Sequence, residues 1–521
     1  MSSMTCGELA ELMASSSLYA VFDVRERGEY NARQIANATS LPRSQIELRI
    51  EELVPNRNIP LVVYDEGGTR AQLAARLLTD LGYADVSVLD GGIAAWEREG
   101  RPTASGVNVP SKAFGEKVQQ EHAVPDISPR ELKQLLDANT EILILDVRTP
   151  EEYGRFCIPG GLNVPGGDLV LWAEALRQKP ETKVIVNCAG RTRSIIGTAA
   201  LRRLGLTNVL ELSNGTMGWL LAGYDLETNP NRKGPRAPEN SQARALGLAM
   251  KLAEEEMIAW TSAESILEIS TGKGGGVTYI IDVRSESEFE SGRIAGSINV
   301  PGGQAVQRTD DFIAVKNAKV IFVSHRSARA VMAAYWYKKM GFRDVSVLQG
   351  GIQSWFESGR TLVRGPEQKY PLGYERAKSA VRLRKTAEIQ RVLPDSSVTI
   401  LDVGVSLDYQ AAHLPGAKWI SRVWLELRLP RELPDEGSPI LVTCHDGVQS
   451  VFAARTLAER GYFNVSVLEG GVEAWQAAGF ETEKGLTVCW SEPIDVVLSP
   501  SITGDKEAMQ RYLDWEVKLT R

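Results

Sequence analysis

Short apolar runs alternate with stretches of helical periodicity along the whole chain, and the pattern is clearest between residues 126 and 212. Ser128-Pro129-Arg130-Glu131 is a capping-box start, and a helix is predicted from it to about Leu136. Ile142 to Val147 and Lys183 to Asn187 read as buried strands, with a further strand over Asn208 to Leu212. A helix over Ser194 to Leu204 stops at Gly205. Strands separated by helices predict an α/β fold, a small, mostly parallel sheet with helices on both faces. Reactive groups in such sheets gather beyond the carboxyl ends of the strands.

The pattern occurs four times. Phe22-Asp23-Val24-Arg25 is echoed by Leu145-Asp146-Val147-Arg148, Ile281-Asp282-Val283-Arg284 and Leu401-Asp402-Val403-Gly404. The aspartates at 23, 146, 282 and 402 precede residues 65, 188, 324 and 444 by 42 positions each. Those residues follow a second apolar run and precede Trp96, Trp219, Trp355 and Trp475 by 31 positions each. Two spacings held constant through four copies define a tandem repeat. We divide it as residues 1–110, 111–235, 236–366 and 367–521, the last comprising the fourth copy plus a C-terminal tail. The polar stretch Lys112 to Pro125, Asn229 to Ser241, and Gly365 to Gly373 read as linkers. Ser241 to Trp260 reads as a connecting helix, and Lys506 to Val517 as a docking helix in the tail.

A chain of 521 residues with 43% hydrophobic and 24% charged residues fits several ordinary globular domains. A net charge of −7 gives no general attraction to nucleic acid or anionic lipid. No apolar run reaches the ~18 residues of a membrane helix, and Met1 to Met13 lacks the features of a secretory signal. Five cysteines without close pairing argue against a disulfide framework or a zinc site and for a reducing cytoplasm. Four scattered histidines lack metal-ligand spacing.

Reactivity concentrates at Cys188-Ala189-Gly190-Arg191-Thr192-Arg193, with Ser194 opening the helix. Cys188 leaves a buried strand, and small turn-prone residues follow, so backbone N–H groups can curl around the sulfur. The next helix aims its positive end at the loop. Arg191 and Arg193 favour a thiolate over a thiol. Such a thiolate can attack a sulfane sulfur, and the same donors would hold the resulting persulfide.

Asp-Val-Arg at a strand end, a cysteine-led six-residue loop ending in Arg, and a Gly-rich turn before Trp together resemble the rhodanese (thiosulfate sulfurtransferase) family. The resemblance extends over nearly the whole chain as four tandem rhodanese-like domains. It implies a five-stranded parallel sheet in each. It also implies transfer of sulfane sulfur from thiosulfate or a similar small donor to cyanide or a thiol, through a cysteine persulfide and without a cofactor. By position, the nucleophile falls on Cys188 and the substrate-binding loop on Ala189, Gly190, Arg191, Thr192, Arg193 and Ser194. The related dual-specificity phosphatases have one residue more in this loop, and no obvious general acid lies in it here.

The other copies depart from this pattern. Asp65 stands at the nucleophile position of the first and Ser324 at that of the third, so both are expected to be inactive and to scaffold the second. The fourth keeps Cys444, a candidate secondary nucleophile, but has Gln449 in place of the arginine and Asp446 nearby. Cys6, Cys157 and Cys489 read as packing residues, as do the four tryptophans. Asp23, Asp146, Asp282 and Asp402 read as structural, and Arg25, Arg148 and Arg284 as ion-pair or pocket-border residues. His413 reads as a surface or hydrogen-bonding residue. Two functions follow: a sulfurtransferase with one competent copy, or a persulfide carrier in which Cys188 receives sulfur from a relay protein partner.

Overall fold

The computed structural model describes residues 2–230, 232, 234–270, 276–366, 371–392 and 397–520. Parts of two expected linkers, residues 231, 233 and 367–370, lie outside the described residues. Each copy forms a five-stranded, all-parallel sheet flanked by helices. In the second copy the spatial order is Leu162–Asn163, Ile142–Asp146, Lys183–Asn187, Val209–Leu212 and Asp126–Ile127. The central strand, Lys183–Asn187, is buried over its last four residues, as a strand covered on both faces must be.

The chain divides into two compact units, Met1–Val107 with Gln368–Val497, and Asn108–Glu367 with Leu498–Arg521. The first and fourth copies thus share one unit, and the second and third share the other with the C-terminal tail. In the latter, Arg329 of the third copy reaches Asp168 of the second at 2.9 Å. A Cβ on Gly167 would meet the Gly302 backbone at 2.9 Å, so the two loops touch through glycines.

The constant spacings have physical causes. In the first three copies the strand-end aspartate binds the arginine two residues on. Asp146 accepts from Arg148 Nε at 2.9 Å, and that guanidinium also donates to the Phe156 carbonyl at 2.5 Å. Arg148 is buried in this pair. In the fourth copy Asp402 accepts the Gly404 N–H at 2.9 Å instead. The 31-residue spacing reflects a second lock. The Cys188 carbonyl accepts the Thr216 N–H and the Ala189 carbonyl the Met217 N–H, tying the loop to the helix Gly215–Leu221 that carries Trp219. Gly215 has φ of +53°, and a Cβ there would lie 2.2 Å from the Cys188 carbonyl oxygen. Gly92, Gly351 and Gly471 stand in the same relation to residues 65, 324 and 444, and all four tryptophans are buried.

Sequence expectations for the second copy differ from the structure by a residue or two: the helices are Pro129–Asp137 and Thr192–Arg203. The connecting helix is Glu239–Glu255, with Trp260 beyond it in the strand Ala259–Thr261. The docking helix spans Lys506–Val517. Lys112 to Pro125 needs correction. Most of it is the helix Val109–His122, entered through Pro110 and burying Lys112, Phe114 and Glu116. A face of polar residues hid an element whose charges are used internally. His413 is not on the surface: it is buried, stacked on Tyr409, with Nδ1 2.7 Å from that residue's carbonyl.

Candidate active site

Cys188 stands directly after the central strand and is 2% exposed. Its Sγ lies 3.4 Å from Ser194 Oγ in the first turn of the following helix. Burial pushes the thiol pKa up. The charge of Arg193 and hydrogen bonds from Ser194 pull it down, and the Glu516 carboxylate pushes it up again. Burial is the largest of these influences, so the net effect on the thiol is upward.

Both arginines are engaged. Arg193 forms a two-pronged pair with Glu152, at 2.6 and 2.7 Å. Burial alone would raise the Glu152 carboxyl, but Arg193, the Thr149 N–H and Arg148 hold it down at about 2. Arg191 grips Glu116 at 2.6 and 2.9 Å and reaches Asn214 Oδ1 at 3.3 Å. Its charge is therefore spent on the helix Val109–His122. Both loop arginines thus sit in ion pairs, and the charge of Arg193 acts on the thiol.

The remaining loop residues are held as closely. Gly190 faces Met217 Cε, which a Cβ would meet at 2.9 Å, with Glu516 Oε2 at 3.4 Å and Tyr512 Cε1 at 3.6 Å. Thr192 donates to Glu516 Oε1 at 2.5 Å. Ala189 contributes its carbonyl to the lock already described. The C-terminal helix thus covers the loop, with Met509 and Leu513 packed on Met217. Lys112 pairs with Glu516 at 3.6 Å and contacts the Tyr512 hydroxyl.

Four acidic neighbours of the loop escaped the sequence reading: Glu116, Glu152, Glu516 and Glu211, whose Oε2 lies 2.9 Å from Ser194 Oγ. Glu211 left a signal, an acid inside an apolar strand. The others sit in helices whose approach to the loop is a tertiary event.

The equivalent loops differ in what occupies the nucleophile position. Asp65 Oδ1 accepts the Gly67 and Gly68 N–H groups at 2.7 and 2.9 Å, and Oδ2 the Ala71 N–H at 3.2 Å. Ser324 Oγ accepts the Ala330 N–H at 3.3 Å. Cys444 Sγ accepts the Ser450 N–H at 3.4 Å and lies 3.5 Å from Asp446. Burial and the nearby Asp446 and Asp402 carboxylates push the Cys444 thiol up to about 12, against hydrogen bonds from Ser450. Among the described residues no cluster suits a metal ion, and no helix is long and apolar enough to cross a membrane.

A family model for the rhodanese-like domain matches residues 5–99, 128–222, 263–358 and 385–478. Over its whole length the chain is similar to a solved thiosulfate sulfurtransferase from Pseudomonas aeruginosa. Identity is 36% and the TM-score 0.93, covering 100% of this chain and 97% of that one. It is 33% identical over 92 residues to the thiosulfate sulfurtransferase GlpE of Pseudoalteromonas translucida, 18% of this chain and 86% of that protein. It is 30% identical over 213 residues to the 3-mercaptopyruvate sulfurtransferase of Escherichia coli, 36% of this chain and 75% of that protein.

Proposed function

The chain belongs to the rhodanese-like family, and on that premise we propose that it is a sulfurtransferase in which Cys188 carries the sulfur. The observation that carries this reading is the company Cys188 keeps: a strand-end sulfur with a helix start, Ser194 and the Arg193 charge directed at it. The thiolate attacks the outer sulfur of thiosulfate, the donor S–S bond breaks, and its electron pair leaves on sulfite. Cyanide or a thiolate then attacks the outer sulfur of the persulfide, and the Cys188 thiolate is regenerated. Loop N–H groups and the helix start hold the negative charge in between.

The test is mass spectrometry of the intact chain after thiosulfate, with the added sulfur mapped to a peptide. Sulfur on the Cys188 peptide, lost on adding cyanide, is the expected result. No added sulfur, or sulfur on another cysteine, would overturn it.

One observation favours a second reading, the persulfide carrier. Cys188 is almost fully covered, and a carboxylate from the C-terminal helix stands over its loop. A protein partner could move that helix where a small dianion could not. An enzyme turns over thiosulfate repeatedly, whereas a carrier loads only when a persulfidated partner is supplied.

A further inference from the structure

Ser194 lies between two acids. Its Oγ is 3.4 Å from Cys188 Sγ, 2.9 Å from Glu211 Oε2 and 2.8 Å from the Arg191 carbonyl oxygen. Glu211 is 1% exposed, inside the strand Val209–Leu212. The three other copies carry valine at the equivalent place: Val88, Val347 and Val467 each follow the first loop residue by 23 positions, as Glu211 follows Cys188. The hydroxyl is selective too. The position six residues into the loop is Ala71 and Ala330 where sulfur is absent, and Ser194 and Ser450 where it is present. A buried carboxyl is costly, and the fold accepts valine at this place three times over. Packing therefore does not call for Glu211.

We propose that Glu211 is a positioning residue that aims the Ser194 hydroxyl at the sulfur of Cys188. The proposal rests on the sulfurtransferase reading of that cysteine. Burial pushes the Glu211 carboxyl up to about 8, Arg191 and Ser194 pull it down, and Asp126 and Glu116 push it up. The ionised carboxylate accepts the Ser194 O–H across the 2.9 Å contact, whereas the protonated form that burial favours donates its own O–H to Ser194 Oγ. The Ser194 O–H then turns from the Arg191 carbonyl to the sulfur as the thiol ionises. Above pH 8 the ionised Glu211 draws the Ser194 proton to itself, and the hydroxyl no longer donates to the sulfur. Arg193 and Glu516 also face Cys188, in opposite senses, and do not depend on this switch. Sulfur loading therefore declines on the alkaline side.

The decisive variant is Glu211→Gln, which keeps an uncharged donor at every pH. Thiolate absorbance of the full chain would be followed against pH, with a Cys188→Ser chain as the blank for each variant. In Glu211→Gln the thiolate should form about one pH unit lower than in the wild type, tenfold in the equilibrium constant. The alkaline decline in sulfur loading should vanish. Glu211→Val, the residue of the other copies, should place thiolate formation above that of Glu211→Gln, because no donor remains. In a Ser194→Ala background the glutamine effect should shrink. Coincident wild-type and Glu211→Gln titrations, or a glutamine effect of full size without Ser194, would overturn the proposal. If the wild type takes no sulfur from thiosulfate or a persulfidated partner, the sulfurtransferase reading fails, while the titration still decides on Glu211.

Discussion

The Thr192 hydroxyl donates to Glu516 at 2.5 Å, joining the loop behind Cys188 to a helix 324 residues further along the chain. Glu516 is 1% exposed, and its second carboxylate oxygen is buried beside Gly190. The tail is therefore part of the site, although it lies outside all four repeats.

Replacing Glu516 by Gln keeps the Thr192 contact and removes a charge that raises the Cys188 thiol. Its removal lowers the thiol pKa and raises the thiolate fraction at neutral pH. Alkylation of Cys188 by iodoacetamide, read from its peptide, should accelerate by about 2- to 5-fold. Deleting the chain after Gly504 should accelerate it further, and unchanged rates in both would show that the helix does not guard the sulfur.

Arg193→Gln should slow sulfur loading by raising the thiol further, and should lower stability by about 1–3 kcal/mol through the orphaned Glu152. The sign of the pH effect follows from Glu152. Its folded-state carboxyl is held at about 2 against an ordinary 4.5, so the pair's stabilisation is complete above pH 4.5 and is lost as pH falls towards 2. Denaturant midpoints of wild type and variant should converge on acidification. A gap that persists at pH 2 would place the loss in packing instead.

Cys444 should stay unmodified. With its thiol pushed up to about 12, the thiolate fraction at pH 7.5 is smaller than that of an ordinary cysteine by about three orders of magnitude. Peptide mapping after thiosulfate should find no sulfur there, even in a Cys188→Ser chain.

Glu211 carries a stability prediction of opposite sense to that of Glu152. Its folded pKa is raised from 4.5 to about 8. The folded state is therefore favoured most below pH 4.5, and that advantage is lost as pH rises through 8. Between pH 5 and 9 the wild type should lose a few kcal/mol relative to Glu211→Gln. Parallel denaturation curves at both pH values would contradict this.

The sheets were legible because the chemistry repeats. Asp146, Cys188 and Trp219 mark a strand end, a loop and a helix, and the contacts joining them are short enough to fix the intervals. The loop's electrostatics were not legible. Arg191 and Arg193 read as cations favouring a thiolate, and the sequence did not disclose that Glu116 and Glu152, 75 and 41 residues earlier, pair with them. Nothing in local sequence reports such a pairing. Lys112 to Pro125 read as a linker because its buried charges look like solvated ones until their partners are known. Glu211 could have been noticed by aligning the copies with one another, since it is the acid among three valines.

Asp65 has a consequence for how the first copy lives without cargo. Its carboxylate sits in the cradle of loop N–H groups that a negatively charged sulfur would need. That cradle is furnished from birth: its guest is covalently part of the chain, so it cannot be transferred, oxidised or washed out. The first copy therefore keeps its loop ordered around an anion of its own, and that order needs no bound ligand.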